Sequence, residues 1–161
     1  RFLASPSSKI VEESIHHSTM IPRPILLLAM LFLGTSVATK QFVLRLDDIQ
    51  DFFQRDAQMA LIDWCMTNGV AVSLGVIGPY FGTDKAVVEK VKECLALGPS
   101  LCEVTNHGPD ASTRLGDLDN LFDVQMLVEE SHNSLRATLD GYTPKTFAPH
   151  QNSWSEFLTT A

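Results

Sequence analysis

Short apolar runs separated by segments of helical period constrain this chain more than any other feature. Val70 to Ile77 is a nearly continuous run rich in β-branched residues and closed by Gly78-Pro79, the pattern of a parallel strand covered on both faces. Gln41 to Leu46, Leu101 to Thr105 and Lys145 to Ala148 are shorter runs of the same kind. Between the first two, Phe52, Phe53, Met59, Ala60, Leu61, Ile62 and Trp64 recur at helical spacing from Asp51 to Thr67, ahead of an Asn68-Gly69 stop. Gly82-Thr83-Asp84 caps a second helix with Val87, Val88, Val91 and Leu95 on one face, and Gly98-Pro99 ends it. A longer helical pattern runs from Leu118 to Leu139, and Trp154 to Ala161 begins another. Strand and helix thus alternate three times and a fourth pair begins, which is the signature of an α/β fold, a βα-repeat with a parallel sheet.

Right-handed crossovers bring the carboxyl ends of such strands to one face, where βα barrels hold their active sites. The polar clusters of this chain fall there: Asp47-Asp48 after the first run, Asn106-His107 after the third, His150-Gln151-Asn152 after the fourth. Adjacent carboxylates let one bind a metal while the other takes a proton, and a His from another strand suits a hard or borderline ion. Each cluster has a plainer reading too. Asp-Asp before a helix is a common cap, and His-Gly a common turn. The shared placement after strands favours the site.

Charge narrows the partners. Twelve Lys and Arg against nineteen Asp and Glu give a net charge of −7, the wrong sign for a nucleic-acid backbone, which requires clustered cations. Met20-Ile-Pro-Arg23, the apolar run Ile25 to Leu33 and the small residues Gly34 to Ala38 have the layout of a cleavable signal peptide over 20–38. The run is shorter than the ~20 residues of a spanning helix, so secretion is expected and a stable membrane span is not. Residues 1–19 carry no apolar periodicity and read as an upstream extension, leaving 39–161 as the domain. In an oxidising compartment Cys94 and Cys102 are near enough in sequence to close a loop, with Cys65 left over; three buried thiols are the alternative.

The segments Arg45-Leu46-Asp47-Asp48-Ile49-Gln50, Glu103 to Gly108 and Phe147-Ala148-Pro149-His150-Gln151-Asn152-Ser153-Trp154 together resemble the motifs of NodB-like polysaccharide deacetylases, in particular their divergent deacetylase-like branch. The resemblance covers Gln41 to Trp154. It implies a distorted βα-repeat parallel barrel and a secreted, metal-dependent hydrolase that removes acetyl groups from a polysaccharide or other acetylated glycan. Asp47 would be the general base that activates water at the metal. Asp48 and His107 would be ligands of a divalent metal, zinc. The family's second His falls at Ala111, and Asp110 is the neighbouring side chain with ligand chemistry. Asn106, Pro149, His150, Asn152 and Trp154 would line the sugar groove, although Trp154 suits a core position equally well. His150 is also the residue placed to fill a gap in the ligand set. The late motif that brings the general-acid His has no counterpart before Ala161, so the barrel is expected to be incomplete. A degenerate, non-catalytic carbohydrate-binding domain is the other reading that the resemblance allows. A two-carboxylate glycosidase ranks below both, because no acid follows the fourth run before Glu156.

Overall fold

The structure, a computed structural model, describes residues 42–159. The expected upstream extension and signal peptide lie outside the described residues. Three parallel strands, β1 (Leu44–Ile49), β2 (Val72–Val76) and β3 (Cys102–Asn106), form one sheet in the order β1-β2-β3. The helices α1 (Arg55–Asn68), α2 (Lys85–Leu95) and α3 (Leu121–Thr138) follow them in alternation. The α/β class expected from the alternating runs is therefore present. A closed barrel is not: the sheet has three strands among the described residues, and Lys145 to Ala148 contributes a single parallel bridge, Phe147 to Asn106. Two hydrogen bonds hold this bridge, Asn106 N to Thr146 O and Ala148 N to Asn106 O, each 3.0 Å.

Burial explains why these runs became strands. All of β2 is buried, with strands on both edges, Leu74 and Val76 packed with residues of the helices, and Asp47 and His107 over Gly75. Ile49, Leu74, Val76, Val104, Ile62, Val87, Val91 and Leu135 join one core, and apolar area removed from water at about 25 cal/mol per Å² is its main source of stability. α2 starts at Lys85 because the Asp84 side chain accepts from the amides of Ala86 and Val87. α1 stops at Asn68 because Gly69 takes a left-handed φ of 62°, so that its N–H and that of Val70 turn back onto Met66 O and Cys65 O. Cys94 and Cys102 form a disulfide that ties the end of α2 to the start of β3, and Cys65 is a buried free thiol.

Two boundaries differ from expectation. β1 does not end before the carboxylates but runs through Asp47 and Asp48 to Ile49, with its register against β2 slipping between Leu46 and Ile49. The charges end the apolar run without ending the pairing. The segment from Trp154 onward makes turns rather than a helix in its described part, and Trp154 is 56% exposed, which excludes the core position for it.

Candidate metal centre

The slip in β1 is what makes the site. In a regular strand Asp47 and Asp48 would point to opposite faces; here Asp48 adopts φ 63°, and both residues line one cleft. A left-handed non-glycine residue costs on the order of 1 kcal/mol and persists only where neighbours hold it. The neighbours are two amides: Gln50 Nε2 and Gln58 Nε2 donate to Asp48 O at 3.4 and 3.2 Å. Gln50 is the last residue of the first motif; its side chain is buried, with Nε2 on this carbonyl and Oε1 without a partner.

His107 arrives from the end of β3. Its backbone N–H donates to Val76 O at 3.0 Å, and its ring Nδ1 lies 2.7 Å from Ala148 O. A carbonyl only accepts, so Nδ1 carries the proton and the lone pair of the neutral ring sits on Nε2. That lone pair faces Asp48 Oδ1 at 3.5 Å. The Phe147 bridge that supplies Ala148 also delivers His150, whose Nε2 is 3.0 Å from the same oxygen, its ring edge-on to that of His107 with centroids 5.3 Å apart. One ligand atom from each of Asp48, His107 and His150 lies within 4.8 Å of the other two.

A carboxylate oxygen and two imidazole nitrogens at that separation are suited to share a proton or a metal cation. Asp48 Oδ1 is buried without a hydrogen-bond partner despite the nearby imidazoles, because they approach it outside hydrogen-bond geometry. Asp47 Oδ1 and His150 Nδ1 are likewise buried and unpartnered. Buried polar atoms in folded proteins are paired in the great majority, so such a concentration marks a site built around something else. Two imidazoles and a carboxylate are the donor set of a divalent zinc-type ion with an open position, and the carbonyl behind His107 is the usual orienting contact. The residues fit the metal.

Asp47 is set apart from the ligands by Arg45. The guanidinium donates to Asp47 Oδ2 through Nε at 3.1 Å and through Nη2 at 2.7 Å, leaving Oδ1 without a partner. Behind it stands Gly75 of β2: a Cβ there would lie 2.7 Å from Asp47 Oδ1 and 3.4 Å from His107 Cγ. Only glycine leaves room for both side chains. The cleft is open, about 260 Å³ in volume, and is lined by Asp47, Asp48, His107 and the stretch Pro149 to Asn152.

Other expected site residues lie elsewhere. Asp110 does not join the ligands. Its carboxylate is taken by the backbone and hydroxyl groups of Ser112 and Thr113, four hydrogen bonds of 2.6–2.7 Å. Burial pushes this carboxyl up, but those donors outweigh it and hold it at about 2. Asn106 does not face the cleft either: its amide donates to Val128 O and accepts from Gly108 N, with the Ser131 hydroxyl 2.7 Å away, which fixes the loop after β3 to α3. Trp154 is outside the cleft lining. Arg45, Gly75 and Gln58 are the residues that sequence reasoning passed over. A glycine inside a β-branched run and a glutamine on the buried side of a helix were the available signals.

A parallel βα sheet with an Asp-His-His group at its carboxyl ends defines an α/β protein with a candidate divalent-metal centre. In sequence the chain matches no family profile and no curated protein. Among solved structures it is similar to a CE4 family pseudoenzyme from Bacillus anthracis, with a TM-score of 0.57 and 14% identity over 76% of this chain. The matched region is 40% of that structure, so the chain spans about two fifths of its length. The likeness shows the fold alone, an α/β architecture corresponding to part of that structure.

Proposed function

We propose that this chain carries the metal centre of a secreted, metal-dependent polysaccharide deacetylase-like hydrolase acting on acetylated sugar residues. The observation that carries the reading is the convergence of Asp48, His107 and His150 beside Asp47, which lines the same cleft. A divalent ion held by these three, with zinc the best match to the donor set, would polarise an acyl carbonyl and acidify water. Asp47, with one oxygen fixed by Arg45, would be the general base for the attacking water. Ala148 O keeps the His107 ring turned so that Nε2 faces inward. Pro149 and Asn152 form the rim against which a sugar ring would rest. The Cys94–Cys102 disulfide supports export to an oxidising compartment, as expected of an enzyme for extracellular glycan. No helix among the described residues is long and apolar enough to cross a membrane.

A second reading, glycan binding without turnover, is favoured by the description of the structural neighbour as a pseudoenzyme. Acetate release from an acetylated chito-oligosaccharide by the zinc-loaded full chain separates the two. Turnover that falls about 100-fold or more in Asp47→Asn, with zinc still bound, is the outcome for a hydrolase. Retention of the oligosaccharide by a wild-type chain that releases no acetate would establish the binding module instead.

A further inference from the structure

We propose that Gln58, on α1, is a positioning residue that builds the metal centre by clamping the slipped backbone of β1; the inference rests on the reading of Asp48, His107 and His150 as ligands. Gln58 is a polar side chain in the first turns of an otherwise ordinary amphipathic helix, yet it is 7% exposed. All of its hydrogen-bonding capacity is turned onto the segment that follows Asp47. Nε2 donates to Asp48 O at 3.2 Å and to Phe53 O, and Oε1 accepts from Gln50 N at 3.4 Å. One amide therefore holds Asp48 O, Gln50 N and Phe53 O, the peptide run that follows the left-handed turn at Asp48.

The geometry explains why such a clamp is required. Where the register of β1 slips between Leu46 and Ile49, the ladder to β2 no longer dictates the conformation of Asp48. An aspartate left to itself favours φ below zero. Relaxation to the extended region would restore strand alternation and swing its carboxylate away from His107 and His150, which are fixed independently by β3 and the Phe147 bridge. Gln50 Nε2 also reaches Asp48 O, but from two residues on in the same segment, just past the end of β1, and it moves with the backbone that it would have to hold. Gln58 belongs to a separate helix. It supplies an external anchor for Asp48 O, where the bonds from Ile77 N to Ile49 O and from Asp51 N to Tyr80 O hold only the residues beyond it.

Zinc titration calorimetry on the full chain, with the visible spectrum of the cobalt-loaded form, tests this directly. Gln58→Met keeps the length and apolar packing and removes the donor and acceptor. It is expected to weaken zinc about 10-fold or more, within the range for outer contacts of metal ligands, and to weaken the cobalt bands as water replaces the carboxylate. Gln58→Glu keeps an acceptor for Gln50 N but turns a carboxylate toward two carbonyls. It is expected to lose affinity to a similar degree, and it carries the test if the methionine variant does not fold. A purely structural role would lower the unfolding temperature but leave zinc affinity and the cobalt spectrum of the folded protein as in the wild type, which would overturn the inference. Absence of zinc uptake by the wild type would instead remove the ligand assignment, and this inference with it.

Discussion

The slipped end of β1 and the loop after β3 each carry an aspartate that sequence reasoning offers as a metal ligand, and they treat it in opposite ways. Asp110 closes on its own loop, where Ser112 and Thr113 fill both carboxylate oxygens. Asp48 is held by its backbone carbonyl, and its Oδ1 is left without a donor between two histidines. The same functional group is structural in one place and poised in the other. The difference lies in where the donors point. Side chains two and three residues on can satisfy a carboxylate locally, which ends its availability to an ion, whereas a clamp on the main chain sets the carboxylate and leaves its lone pairs free.

The largest effect expected from this contrast is in metal affinity. Asp48→Ala should reduce zinc uptake beyond detection, since it removes one of three ligands, while Asp110→Ala should leave the affinity within about twofold; calorimetry on both variants checks the pair. Equal losses would mean that the loop after β3 contributes to the centre after all.

Gly75→Ala comes next. The new methyl group would press on Asp47 Oδ1 and the His107 ring, and overpacking of this kind costs about 1–3 kcal/mol. Chemical denaturation should show that loss together with weaker zinc binding. A neutral substitution would mean that the strand and the two side chains yield more readily than their packing suggests.

The smallest effect belongs to Asp110 and appears in pH dependence. Its folded-state carboxyl titrates at about 2, below the ordinary 3.8. A depressed value stabilises the fold above the unfolded pKa, and the contribution is lost as pH falls through the folded one. The stability gap between wild type and Asp110→Asn should therefore be full above about pH 4 and narrow toward pH 2, as followed by thermal unfolding. A gap independent of pH would place the role of Asp110 in its size rather than its charge.

Much of the scaffold was legible in the sequence because burial writes itself into apolar runs. Val72–Val76 lies inside the run read as the second strand, and the Asp84 cap and Gly69 stop fall where the residue types place them. The end of β1 was not legible. Asp47 and Asp48 read as the end of a strand because charge is rare inside one, whereas a slipped register lets an edge strand carry both. The site was legible by halves. Asp48 and His107 are brought together as the motifs implied. His150, 43 positions after His107, was placed on the same face by the fourth apolar run, of which the structure keeps one bridge at Phe147. Asp110 was chosen for its nearness in sequence to a missing histidine, and its capture by Ser112 and Thr113 outweighs that nearness. Gln58 and Gly75 act through space, on Asp48 O and on Asp47 and His107, and a single sequence carries no record of either contact.

X-ray absorption at the zinc edge of the loaded full chain tests the central claim most directly, because it counts imidazoles around the ion. The account expects two imidazoles and a carboxylate oxygen in the wild type, and one imidazole in His150→Ala. An imidazole count unchanged by His150→Ala, or an oxygen shell lost in Asp110→Ala, would contradict it.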